Sequence, residues 1–243
     1  MFPTGLLAGS GWASGLNLWA VVALLGIGGR AGWADTPSLL HHPLVIAVAV
    51  VLYAAEFVID KVPYLDSAWD IANTAIRPAG AGALALLMTP HDSTPHRVVA
   101  VVGAASAALT SHSAKASLRA LINLSPEPLS NVIASLSEDG VAFALVGFAF
   151  AHPRTTLVIT IVAMVACVVF VWWAMRIRLM RMDSAKDRIE WLSFRSGDDV
   201  LDKYAALFPR SVLPRYCRVA FWTVIVPAAI VLCAMTMLKA FGK

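Results

Sequence analysis

Two stretches of this chain carry acid and base side chains at helical spacing inside otherwise apolar sequence. Glu56 and Asp60 lie four residues apart and share a helix face. After Lys61 come Asp66, Asp70, Asn73 or Thr74, and Arg77, a second polar stripe. Further on, His112, Lys115, Arg119 and Asn123 line one face, and Glu127, Asn131, Glu138 and Asp139 follow on another. Charge inside a membrane segment is costly and faces protein or a water-filled cavity, so these fourteen positions, Asn73 and Thr74 aside, are the candidate solute-binding set.

Their chemistry leaves the sign of the solute open. The carboxylates of Glu56, Asp60, Asp66, Asp70, Glu127, Glu138 and Asp139 are hard oxygen donors suited to a cation or a proton relay. His112, Lys115 and Arg119, with two expected helix starts, suit a phosphate or carboxylate. One start is Ser67 with Asp70 three residues later, in the form of a capping box. The other is Ser125 followed by Pro126, an N-cap with proline at the first helical position. One stripe is mainly acidic and the other begins basic, which invites pairing between them. If all these groups only brace helices, they form a buried ion-pair network. Such networks stabilise poorly once desolvation is counted, which favours a hydrated cavity. No glycine-rich phosphate loop, H-E-x-x-H or cysteine-rich metal pattern is present, so no cofactor is assigned and a metal is left open. His41-His42 reads as a loop pair. Catalysis is the weakest reading. Paired carboxylates with His112 would supply acid and base toward a lipid headgroup, but no nucleophile with a positioned base stands out.

The elements that must position these residues are membrane helices. Hydrophobic residues make up 59% of the 243-residue chain and charged residues 14%, with mean hydropathy +0.73. Soluble domains carry roughly a quarter charged residues. The excess requires helices of about 20 apolar residues crossing a bilayer, and about six spans or span-equivalents are expected. The fold class is therefore all-α, a polytopic transmembrane helical bundle. The net charge of +4 is gathered toward the C-terminus and reads as an orientation signal, not a nucleic-acid footprint. The three cysteines give no disulfide framework.

The first apolar run, 5–29, lacks a preceding Lys or Arg and is read as a retained helix, not a cleaved signal. It contains Asn17 and a Gly11/Gly15 G-x-x-x-G pair, which suits close helix packing. Blocks 44–90 and 97–152 then share one plan: a long helix, a charged elbow, a short striped helix and a short apolar helix, the last two separated by Pro or Gly. Short broken or re-entrant helices in each block give an odd number of crossings, hence an inverted repeat with a site at the interruptions. Residues 155–175 form a strong span ending at Trp172 and Trp173. Arg176, Arg178 and Arg181 follow and place the 181–218 segment in the cytoplasm as an amphipathic stretch suited to lipid contact or self-association. An additional transmembrane helix at 219–243 completes the chain, beyond a membrane domain at 1–180.

The run Glu56-Phe57-Val58-Ile59-Asp60-Lys61-Val62-Pro63-Tyr64-Leu65-Asp66-Ser67-Ala68-Trp69-Asp70, with Ile76-Arg77-Pro78, resembles a signature of a bacterial multi-pass membrane family catalogued only as a domain of unknown function. A second signature is matched by His112 to Arg119, Asn123-Leu124-Ser125-Pro126-Glu127-Pro128-Leu129-Ser130-Asn131 and Glu138-Asp139. Gly15-Leu16-Asn17-Leu18-Trp19 fits its first helix. The resemblance covers roughly residues 10 to 180 and implies a small bacterial inner-membrane protein, with no substrate attached. The leading expectation is a small transporter or channel for a polar or ionic solute, embedded in membrane lipids and suited to two-fold homo-oligomers. The alternative is a structural or accessory subunit scaffolding a membrane complex, its charges acting as braces.

Overall fold

A computed structural model describes residues 4–61, 65–122 and 128–196, with the side chains of 65–68, 128, 131 and 178–196 left outside the description. Asn123, Glu127, the Ser125-Pro126 helix start and the expected helix at 219–243 therefore lie outside the described residues. So do the side chains of Asp66, Ser67 and Asn131.

Six helices account for the described chain: α1 (Thr4–Arg30), α2 (Pro43–Ile59), α3 (Leu65–Met88), α4 (Thr94–Ile122), α5 (Pro128–Ala151) and α6 (Pro153–Ser196), with one 3-10 turn at Ser38–His41 between α1 and α2. The protein is an all-α bundle. Four helices are long and apolar enough to cross a membrane: α1, Trp69–Met88 within α3, Val132–Ala151 within α5, and Pro153–Ile177 within α6. The chain is thus a multi-pass integral membrane protein. Its outward faces agree: Val158, Val162, Val165 and Val169 of α6 and Leu44, Val48, Val51 and Val58 of α2 are all exposed. Apolar stripes of that length are stable only against lipid or another apolar surface. Trp172 and Trp173 close the α6 stripe, and the Arg176 guanidinium sits over the Trp172 ring at 4.9 Å, an arrangement fitted to the membrane interface.

Helix α1 is the hub and packs against all five others. Its small residues make this possible. A Cβ added to Gly15 would lie 2.0 Å from Ala108 O and Ser111 Oγ of α4, and one on Gly11 would lie 3.0 Å from Ala104 Cα. The G-x-x-x-G pair therefore seats α4 against the backbone of α1. Helix α4 is 29 residues long but less apolar than the four spans, because it carries His112, Lys115 and Arg119 into the protein interior. It is shielded by α1, α3 and α6.

The short broken or re-entrant pairs expected in each block are instead single helices. Helix α3 runs unbroken through Pro78, and α5 runs unbroken through Gly140. One proline removes one backbone hydrogen bond, a loss tolerated in a membrane helix whose neighbours re-satisfy the backbone. Each block then holds two helices, α2–α3 and α4–α5, and the odd crossing count that suggested inversion no longer applies. The break lies elsewhere, in α1 at Asn17, whose backbone is extended (φ −154°, ψ 101°) within an otherwise helical run. Helix α6 continues to Ser196, so the first part of the 181–218 segment prolongs the last described span.

Candidate functional site

The break in α1 is stabilised by the residue that makes it. Asn17 Oδ1 accepts a hydrogen bond from the Ala20 amide at 3.0 Å, as an N-cap would, and so starts the second half of the helix. In an unbroken helix that amide would bond Leu16 O. Leu16 O is left free and accepts from Lys115 Nζ at 3.2 Å, while Gly15 O accepts from Arg77 Nη1 at 2.7 Å. Ser111 Oγ donates to Trp12 O at 2.6 Å one turn earlier. Exposed carbonyls in the middle of an apolar helix thus meet basic side chains from α3 and α4, a membrane-protein use of irregular backbone buried in protein.

Around this break the stripes converge. Glu56 and Asp60 project from α2, Asp70 and Arg77 from α3, His112, Lys115 and Arg119 from α4, and Glu138 and Asp139 from α5; all nine are buried. Spacings of three, four or seven residues put the sets from α2, α3 and α4 each on one face, while Glu138 and Asp139 are adjacent on α5. Arg77 Nη2 is paired with Glu56 Oε1. Lys115 Nζ lies 2.5 Å from Asp60 Oδ2, 3.5 Å from Glu138 Oε2 and 3.7 Å from Glu56 Oε1. Arg119 donates to Glu138 Oε2 at 2.8 Å and to the main-chain oxygen of Asp60 at 2.5 Å. Asp60 Oδ2 is 3.6 Å from Arg119 Nη2 as well. Lys115 and Arg119 therefore tie the first block to the second, while Arg77 holds Glu56 within the first.

His112 has its tautomer set by its neighbours. Arginine has no acceptor, so the 2.9 Å contact between Arg77 Nη1 and His112 Nδ1 requires an unprotonated Nδ1. The ring proton then sits on Nε2, which faces Asp70 O at 3.0 Å and Thr74 Oγ1 at 3.1 Å. The imidazole is neutral in this arrangement and serves as a link between α3 and α4.

Among the described residues, several carboxylate oxygens remain without a hydrogen-bond donor: Oε2 of Glu56, Oδ1 of Asp60, both oxygens of Asp70 and Oδ2 of Asp139. Asp139 does receive one bond, from Asn17 Nδ2 at 3.0 Å. Among the described residues no group of three or more His, Cys, Asp or Glu side chains is arranged to hold a metal ion. Lys61 stands apart at the rim. It is half-buried, its Nζ bonded to Phe57 O at 2.8 Å and set over the Phe57 ring at 2.9 Å to the centroid.

All nine clustered residues fall within 5–175, the stretch that matches the family described as Domain of unknown function (DUF4126). The chain belongs to that family. No curated protein and no solved structure matches it. In this DUF4126 protein the network thus brings together Glu56, Asp60, Asp70, Arg77, His112, Lys115, Arg119, Glu138 and Asp139. It leaves Lys61 at the edge, and Asp66, Asn123, Glu127 and Asn131 are not described at side-chain level. The residue missing from the sequence-derived set is Asn17. A single amide in an otherwise apolar span was the available signal, since an intramembrane polar group rarely lacks a partner. Nothing in the spacing, however, shows that the helix breaks there.

Proposed function

We propose that this DUF4126 protein is a small transporter of a polar or ionic solute in the bacterial inner membrane. In this reading its site lies between the α2–α3 and α4–α5 pairs, against the break in α1. The observation that carries the proposal is that break. An extended residue in a central apolar helix frees carbonyls at the point where nine buried ionisable groups from four other helices meet. Discontinuous helices whose half-helix ends face ionisable groups are how many secondary transporters build a site. The unpartnered carboxylate oxygens add to this, since a brace alone gains nothing from leaving them unpaired. Membrane lipids are the surrounding partner, and a two-fold homo-oligomer is the expected assembly.

Flux in proteoliposomes tests the reading, with a panel of inorganic ions and small polar solutes as probes. A solute carried by the unmodified protein and not by folded Asp60→Ala or Arg119→Ala variants supports it. Unchanged flux in both folded variants overturns it.

A scaffold is the second reading, favoured by one observation: Arg77, Lys115 and Arg119 each contact at least one buried carboxylate. A scaffold predicts that the same variants lower stability or loosen a co-purifying partner without any change in flux.

A further inference from the structure

We propose that Asp70 is a proton-binding site, taking up and releasing a proton within the buried network. The inference deepens the transport reading by naming a proton as one species the site handles. It rests on that reading only for the coupling of protonation to flux.

The charge balance of the described residues comes first. Five buried carboxylates, Glu56, Asp60, Asp70, Glu138 and Asp139, face three buried cations, Arg77, Lys115 and Arg119. His112 adds no charge, because its Nδ1 is held as an acceptor by Arg77. The excess is two negative charges, and counting half-buried Lys61 still leaves one. An uncompensated ion in a low-dielectric interior is among the most expensive features a fold can carry.

Hydrogen bonding then identifies which acid bears the excess. Glu56 is paired with Arg77, Asp60 with Lys115 and Glu138 with Arg119, while Asp139 accepts from Asn17 and faces the charge of Lys61. Asp70 is 5% exposed, and neither of its oxygens has a donor among the described residues. Arg77 approaches it at 4.0 Å, beyond hydrogen-bonding distance. Both Nη1 protons of Arg77 are already committed, to Gly15 O and His112 Nδ1. The groups facing Asp70 are Arg77 on its own helix, His112, Lys115 and Arg119 from α4, Asp60 from α2 and Glu138 from α5, with Gly15 O from α1 behind Arg77. Each of these three cations is already paired with another carboxylate, Arg77 with Glu56, Lys115 with Asp60 and Arg119 with Glu138.

A proton fits this position better than a metal ion. It needs no coordination shell, it converts the carboxylate to a neutral acid, and it gives the site an O–H donor. The step is simple: one carboxylate oxygen of Asp70 binds a proton from the aqueous phase, and the charge of the network rises by one. Release reverses it.

Infrared spectroscopy of the purified full-length protein in lipid tests this without any transport assay. The carbonyl stretch of a protonated carboxylic acid is followed while pH is varied, in potassium buffer free of sodium. A titrating acid band that shifts on carboxyl-¹³C labelling of aspartate is expected. It should disappear in Asp70→Asn, move to the glutamic-acid frequency in Asp70→Glu, and persist in Asp139→Asn. No acid band at any pH, a band insensitive to aspartate labelling, or a band retained in folded Asp70→Asn would overturn the assignment. The labelling arm uses the unmodified chain and so decides the question even if a variant does not fold. Loss of the band on adding sodium at fixed pH would also overturn it, by assigning the site to an alkali cation. Absence of flux with the band present would refute the transport reading alone.

Discussion

Asn17 on α1 donates from Nδ2 to Oδ1 of Asp139 on α5 at 3.0 Å, across 122 residues of sequence, while its Oδ1 caps the second half of its own helix at Ala20. One side chain therefore ends a helix turn, starts the next, and holds an acid from the far block. Replacing it by alanine removes both bonds and leaves Asp139 without a hydrogen-bond donor among the described residues. An unsatisfied buried partner costs about 1–3 kcal/mol, more when it is charged. Asn17→Ala should lower the thermal unfolding midpoint in detergent, and Asn17→Asp should lower it further by setting two carboxylates together. An unchanged midpoint in both would mean the break is held by packing alone.

The Lys115 ammonium bridges Asp60, Glu138 and Glu56. Removing a buried cation while its acids stay is expected to cost about 3–5 kcal/mol. Lys115→Met alone should therefore destabilise strongly, whereas Lys115→Met with Asp60→Leu should recover part of the loss, because both ends of the short pair become apolar. A double-mutant cycle on urea or thermal unfolding reads the coupling. Additive losses would show that the two groups do not act as a pair.

Helix contact offers a sharper contrast. Gly15→Ala places a methyl group 2.0 Å from Ala108 O, which only separation of α1 from α4 relieves, and that separation would also move Ser111 off Trp12 O. Gly103, on the same α4, has nothing within 4 Å of an added Cβ. Gly103→Ala should be neutral or stabilising by up to about 1 kcal/mol through helix propensity. Gly15→Ala should lower yield and unfolding temperature, and equal behaviour of the two variants would contradict the close packing described.

The His112 tautomer is directly observable. Nitrogen-15 resonances of the labelled ring should show a protonated Nε2 and an unprotonated Nδ1. Arg77→Lys should perturb the Nδ1 signal by changing its donor. A ring protonated at both nitrogens would be incompatible with the Arg77 contact.

Much of this arrangement is legible in the residues themselves. The spacing of Glu56 with Asp60 and of His112, Lys115 and Arg119 predicts shared faces, and apolar surroundings predict that those faces turn inward. The opposite signs of the two stripes anticipate the Lys115–Asp60 pair. The misreading concerned continuity. Pro78 and Gly140 look like breaks because they are poor helix residues in water, yet in a packed membrane helix their cost is absorbed and α3 and α5 run on. Asn17 has no such local signature. Its break depends on Asp139, Lys115 and Arg77, partners brought from 62 to 122 residues away that only the folded chain supplies.

The most direct test of a solute site at the α1 break is high-resolution density for the protein in lipid, inspected between Asn17, Asp70, Lys115 and Asp139. Ordered water or solute density touching the free oxygens of Asp70 and Asp139, with a path to one membrane face, is the predicted result. A dry network in which every buried carboxylate is paired and no path reaches it would contradict the transport account and leave the charges as braces.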